Sequence, residues 1–389
     1  MKEPKIRFNG FEGEWEEHSL SENEFSIVAG GDIDKTNLKN SGKFPVIANA
    51  ITNDGILGYY ENSYRVQEPA VTVTGRGEVG IAVARHYSFT PVVRLLSIKS
   101  PHNVDFLANA INCYKVPVES TGVPQLTTAK LQEYRIPMPR TIEEEDAIAS
   151  FFTTIDAQIS ASTSRLASLK QIKAASLQAM FPKEGETVPK LRFKGFEGEW
   201  EKVKLSDCLE ISNERNLYNE FGINEVLSVS DEEGVMNQIK LLGRSYAGKS
   251  VTNYKVFRTN QVVYTKSPLK AKPYGIVKVN KGDVGIVSVL YAVYNAKEGV
   301  CPDYIHYYFE PTFRINNYLQ PLINKGAKNT MNISDETSLQ GNIVIPKTID
   351  EQCKIVEYFQ SLDRQITLQT NRLEKLKQIK AACLDKMFV

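Results

Sequence analysis

The chain repeats itself. Residues 4–17, PKIRFNGFEGEWEE, return as residues 189–202, PKLRFKGFEGEWEK, with 11 of 14 positions identical. A second pair of segments, 139–181 and 346–388, aligns without a gap, has 22 of 43 positions identical and shares the run LKQIKAA. The offsets are 185 and 207, so the second copy holds 22 more residues between its landmarks. Like ends around unlike middles describe one frame built twice and carrying two different surfaces. A solenoid would need more copies.

The shared ends predict helices. Residues 142–181 and 349–388 carry apolar side chains alternating by four and three, the seam of a coiled coil. In the second copy the seam runs Ile355, Phe359, Leu362, Ile366, Gln369, Leu373, Leu376. The first copy keeps the same register through Ile148, Phe152, Ile155, Ile159, Ser162, Leu166 and Leu169. The polar pair Ser162 and Gln369 occupies matching positions, either to fix register or as a tolerated defect. Orientation follows from reach. The linker 182–188 spans at most ~25 Å, whereas a helix of about 38 residues is ~57 Å long. If each middle domain is compact with neighbouring ends, the second helix must start near where the first stops, which makes the pair antiparallel with one middle domain at each end.

The middles are rich in β-formers and turns, such as EPAVTVTGRGEVGIAVARHY in the first and YGIVKVNKGDVGIVSVLYAVYNA in the second. The expected fold class is α+β with a pseudo-twofold internal repeat: two mixed α/β domains separated by a long antiparallel two-helix coiled coil. The expected boundaries are 1–141 and 189–348 for the two domains, 142–181 and 349–389 for the two helices, and 182–188 for the linker.

Two nucleotide-binding patterns occur, and context argues against both. GRSYAGKS, residues 243–250, matches the phosphate-loop pattern, but the following VTNYKVFRTNQVVYTK reads as a strand where that loop needs a helix. GRGEVG, residues 75–80, matches the dinucleotide fingerprint, but IAVARHYSF after it also reads as a strand. A glycine turn between strands is the better account, with Arg76 at its tip. The four histidines, His18, His86, His102 and His306, show no metal-ligand spacing and read as surface or packing residues. The chain lacks a Gly-x-Ser-x-Gly elbow and any Pro-Pro dipeptide, so no catalytic site is expected.

Charge is informative locally. The net charge is only +1, yet residues 240–281 carry ten Lys or Arg and no Asp or Glu, with tyrosines interleaved. Either this is a solvated β face or it attracts a phosphate backbone. From it come the candidate nucleic-acid contacts Lys249, Tyr254, Lys266, Lys270, Lys272 and Tyr274. The first middle offers Asn49, Thr52, Asn53, Tyr59, Tyr60, Arg76, Arg85, Gln125 and Thr127, since Asn and Gln can grip adenine and Arg guanine; each could equally serve a turn. Lys325, Lys328, Asn329 and Asn332 hold the place before the second helix. Five widely spaced cysteines without a Cys-x-x-Cys pair suit a reducing cytoplasm. The sequence shows neither a signal peptide at its start nor an apolar run long enough for a membrane span.

With its FxGFxGEW openings, a Gly-x-Pro-Gln-Leu segment before IPMP, and paired helices carrying LKQIKAA, the chain resembles the specificity subunits of type I restriction-modification enzymes over essentially its whole length. The second copy departs from the pattern, with GAKNTMNI in place of Gly-x-Pro-Gln-Leu. The resemblance implies two target-recognition domains reading a split, asymmetric double-stranded DNA target, with the helices as spacer. It implies two methyltransferase subunits that bring S-adenosylmethionine and methylate adenine, and motor-nuclease subunits that use ATP. This chain itself would hold no cofactor, metal or catalytic residue. Alternatives are the same kind of subunit in a type II methyltransferase-nuclease, and a helical scaffold that does not bind DNA.

Overall fold

A computed structural model of the chain describes residues 3–113, 124–248, 250–269, 271–325 and 331–388. Two helices dominate, Ile142–Ala179 and Ile349–Met387, of 38 and 39 residues. Among the described residues no helix is long and apolar enough to cross a membrane. The chain forms two compact units, Met1–Ser164 with Thr370–Val389, and Arg165–Gln369. Each unit therefore contains one end of both long helices, a division that follows packing rather than the order of segments along the chain.

Within the first unit the helices run antiparallel: Phe152 meets Phe388 at 5.8 Å between ring centres, and Asp156 pairs with Lys380 at 2.6 Å. Within the second, Ser176 bonds Tyr358 at 2.9 Å and Lys173 pairs with Asp363 at 2.6 Å. The seam positions Ile148, Phe152, Ile155, Leu169, Ile355, Phe359, Leu362 and Leu373 are buried, as are Ser162 and Gln369. Ile159, Leu166, Ile366 and Leu376 are half-buried. The positions between them are mostly exposed, which is how a 3.5-residue period sorts a helix surface.

The aromatic cores show why each unit needs both helices. In the first, Trp15, Phe106, Phe152 and Phe388 pack with ring centres 5.5–6.2 Å apart. In the second, Trp200, Tyr304, Phe359 and Phe181 occupy the matching places. Phe388 belongs to the second copy's helix and Phe181 to the first's, so each copy completes its core with the end of the other copy's helix.

The repeated openings dock on the helix starts. Arg7 grips Glu144 through Nε and Nη2 at 2.7 and 2.8 Å, donates from Nη1 to the Gly13 carbonyl at 2.5 Å, and Trp15 Nε1 reaches the same carboxylate at 3.3 Å. Arg192, Gly198, Trp200 and Glu351 repeat this at 2.7, 2.8, 2.5 and 3.2 Å. Gly13 and Gly198 sit at φ of +86° and +78°, a conformation that disfavours any side chain there. Thr141 and Thr348 receive the N–H of Glu144 and Glu351, both at 3.4 Å. A Thr-x-x-Glu helix start thus supplies a carboxylate that the opening motif clamps.

The unlike middles share a topology. The first holds a four-stranded antiparallel sheet in the order Ser26–Ala29, Leu95–Lys99, Ala70–Thr74, Ala82–Arg85. The second holds Leu209–Ile211, Ala292–Ala296, Val262–Tyr264, Val277–Val279 in the corresponding order. A helix follows each, Val104–Cys113 and Pro302–Phe309. In both, a strand pair closes the unit, Glu16–Ser19 with Arg135–Met138, and Glu201–Lys204 with Asn342–Ile345. The GRGEVG segment is the turn between Ala70–Thr74 and Ala82–Arg85, with Gly77 and Gly80 at positive φ. GRSYAGKS follows a short helix, Gln238–Leu242, and leads to the strand Lys255–Phe257, so neither pattern opens a helix.

Candidate nucleic-acid interface

At one end of the first unit four connections meet. Asn49 donates to the Val93 carbonyl at 3.0 Å and accepts the Gly75 N–H at 2.8 Å, while Leu126 N–H bonds the Gly75 carbonyl at 3.0 Å. These bonds join the segments around residues 49, 75, 93 and 125. Gly75 has no room for a side chain, since a Cβ there would lie 2.2 Å from the Arg94 carbonyl oxygen. Arg76 projects from this crossing, exposed and with its backbone bridged to Gln125, itself exposed. Arg94, held at φ +72°, is exposed on the neighbouring connection. Nothing in the local pattern VVRLL marks it, because its place depends on a sheet contact. Two exposed guanidiniums and an exposed amide on one rim can meet phosphates and base edges.

Other candidates of this unit have different work. Asn49 is a latch, and Thr127 caps the helix Thr128–Gln132 by accepting the Lys130 N–H. Thr52 and Asn53 are exposed, and Asn53, at φ +51°, donates to the Ile56 carbonyl at 3.2 Å. Tyr60 is buried and donates to the Asp34 carbonyl at 3.0 Å; Tyr59 is half-buried in strand Ile56–Tyr60. Arg85 is only 4% exposed: its guanidinium bonds Thr72 Oγ1 at 3.0 Å, Tyr87 at 2.9 Å and Asp54 at 2.7 Å. That differs from the surface placement its sequence context suggested. The alternation of strand Ala82–Arg85 turns it inward, where Asp54 offsets the charge.

In the second unit the corresponding turn is longer, residues 265–276, and carries Lys266 and Lys272. Both are tied to acids distant in sequence. Lys266 and Lys255 share Asp335, at 2.6 Å for Lys266. Lys272 bonds Asp231 at 2.8 Å and the Glu310 carbonyl at 3.1 Å. Burial works against the Asp335 charge, but hydrogen bonds from Lys255 and Lys266 outweigh it and hold the carboxyl below the usual aspartate range. Asp231 and Asp335 sit on the connections equivalent to those of Asn49 and Gln125, so ion pairs take the place of the Asn49 amide latch and the backbone bridge to Gln125. Tyr254 and Tyr274 are half-buried. Lys249, Lys270, Lys328 and Asn329 lie outside the described residues, as do the side chains of Lys325 and Asn332.

The acid-free run is therefore not a free basic strip. Lys255, Arg258, Lys266, Lys272, Lys278 and Lys281 each lie within 4 Å of a carboxylate from outside it. Among its described residues Lys240, Arg244, Arg258 and Lys281 are exposed, the last two paired with Glu214 and Asp303, and Arg244 is stacked 4.6 Å from the exposed Tyr246 ring. An exposed Arg–Tyr pair suits phosphate and base stacking. The sequence marks Tyr246 only as one of the interleaved tyrosines, and Arg244 only as one of ten cations in the run.

Comparison with known proteins places the chain. The model of the family "Type I restriction modification DNA specificity domain" matches residues 12–171 and 197–378. Two proteins of Mycoplasma pneumoniae named as type I specificity subunits are 31% identical over 110 residues and 28% identical over 155. These matches take in 28% and 37% of this chain but only 30% and 46% of the relatives' own length. The crystal structure of a type I restriction-modification S subunit from M. genitalium has a similar fold, at a TM-score of 0.63 and 11% identity, covering 100% of this chain and 99% of that one. With two matches spanning most of its length, one in each copy of the repeat, the chain belongs to the type I restriction modification DNA specificity domain family.

Proposed function

We propose that this chain is the sequence-reading subunit of a type I restriction-modification complex, binding double-stranded DNA at a bipartite, asymmetric target. The observation that carries the reading is one frame built twice, clamped identically at Arg7–Glu144 and Arg192–Glu351, with differently furnished loops at the same rim of each copy. Unlike loops on like sheets suit two half-sites of different sequence. Arg76, Arg94 and Gln125 would serve one half-site, Arg244, Tyr246 and the lysines of residues 265–276 the other. The long helices would set the half-site spacing, about one helical turn of DNA.

The reading assigns chemistry to partners: two methyltransferase subunits carrying S-adenosylmethionine for adenine methylation, and motor-nuclease subunits using ATP, all in the cytoplasm. This chain would position them without catalysing. Methylome sequencing of cells in which residues 26–113 are exchanged for the same segment of another family member tests it. One half-site should change and the other persist; alteration of both, or of neither, overturns modular reading.

A further inference from the structure

We propose that His18, Glu24 and His102 form a binding site for a divalent transition metal of the zinc class. The three ligand atoms lie within 4.8 Å of one another. His18 Nδ1 is 2.8 Å from Glu24 Oε1, and His102 Nε2 is 3.5 Å from the same oxygen. Imidazole nitrogen and carboxylate oxygen are the ligands zinc accepts at ~2.0–2.2 Å, so ligation opens the short His18–Glu24 contact and gathers the three ligand atoms round the ion.

The surroundings orient His102 as a ligand. Its Nδ1 is 2.8 Å from Glu145, a carboxylate only 1% exposed that also takes the Asn103 N–H at 2.9 Å. A histidine whose one nitrogen is held by a carboxylate presents the other as a lone pair, the usual outer-shell arrangement at metal sites. That other atom, Nε2, is buried and makes no hydrogen bond. Phe25 stacks on the ring with centres 5.5 Å apart and planes 14° from parallel. Glu24 is 31% exposed and Glu22, 3.3 Å from His18, is 45% exposed, which leaves a way in for the ion and a place for a fourth ligand.

The second copy of the frame is the internal control. There Gln352 stands where Glu145 does and receives the Cys301 N–H at 2.9 Å, as Glu145 receives that of Asn103. Val300 then takes the place of His102, and Val203, paired with Ile343 as His18 is with Ile136, takes that of His18. The frame closes with valines and an amide, so the His-Glu-His set is not demanded by it. A metal here would pin the strand Glu16–Ser19 and the connection at residues 20–25 to the start of the first long helix.

The test uses the full chain, stripped with a chelator and titrated with Zn²⁺ by calorimetry. One equivalent per chain is expected, with at least a 100-fold loss of affinity in His18→Asn, Glu24→Gln and His102→Gln and none in His86→Gln. X-ray absorption of the wild-type zinc complex covers any variant that fails to fold: a shell of two imidazoles with oxygen and no sulfur is expected. No stoichiometric binding, a sulfur-containing shell, or equal loss in His86→Gln would overturn the assignment.

Discussion

Arg7 holds both carboxylate oxygens of Glu144, 137 residues further along the chain, at 2.7 and 2.8 Å. The same grip, at the same distances, joins Arg192 to Glu351. Each carboxylate is 3% exposed and also satisfies an indole N–H, so its removal strands that buried donor and the two N–H groups of a half-buried guanidinium. Glu351→Ala should cost roughly 3–5 kcal/mol, the usual cost of breaking a buried pair on one side. Calorimetric melting measures it, and a cost under about 1 kcal/mol would show that the clamp contributes little to stability.

Phe181 closes the first copy's helix but sits between Tyr304 and Phe359 of the second. Phe181→Ala should destabilise by about 3–5 kcal/mol. Hydrogen exchange should show the loss in Ala292–Ala296 and Pro302–Phe309, with Ala70–Thr74 little changed; equal loss in both units would contradict the exchanged-end packing.

Asp335 neutralises two lysines, Lys266 on the longer turn and Lys255 on the strand Lys255–Phe257. Asp335→Asn should lower stability while raising affinity for non-specific duplex DNA several-fold at low salt, because two cations lose their internal partner. Fluorescence anisotropy across a salt series reads the second effect. Unchanged affinity would mean those lysines do not face DNA.

Arg76 and Arg94 stand exposed at the first rim. Arg76→Ala or Arg94→Ala should weaken specific binding by about 1–3 kcal/mol if the guanidinium reads a base. A uniform weakening across sequences, with a shallower salt dependence, would mark a phosphate contact instead. Competition binding with single-base variants of the target distinguishes the two, and no effect from either substitution would remove this rim from the interface.

His306 is neutral when folded: burial, together with the charges of Lys278 and Lys173, pushes its pKa down to about 3, although the Val277 carbonyl and Asp303 act the other way. The unfolded chain takes up that proton near pH ~6.5, so stability is full above that pH and falls as pH drops from there toward 3. The slope from this group is about 1.4 kcal/mol per pH unit. His306→Gln should flatten the pH dependence of melting between pH 6 and 4; an unchanged profile would assign the acid sensitivity elsewhere.

Much of the frame was legible because it rests on local periodicity. The seam from Ile148 to Leu169 and from Ile355 to Leu376, the helices beginning at residues 142 and 349, and the strand-flanked GRGEVG turn are each determined by neighbours a few residues away. The role of the opening motif was not: FxGFxGEW announces a repeat, but its Trp and the Arg just before it act on a carboxylate more than a hundred residues on. The charge pattern was incomplete for the same reason. Residues 240–281 lack acids, yet Glu214, Asp231, Asp303 and Asp335 fold onto the lysines and arginine of that run.

By itself the sequence determined the duplication, the two helices, their buried faces and the unlike middles, since repetition and a 3.5-residue period survive in one dimension. Tertiary structure decided that Phe181 and Phe388 complete the opposite copies' cores, that Arg85 turns inward while Arg94 stands out, and that His18 and His102, 84 residues apart, meet at Glu24. Coulomb forces and packing act on distances in space, and only the folded chain sets those distances.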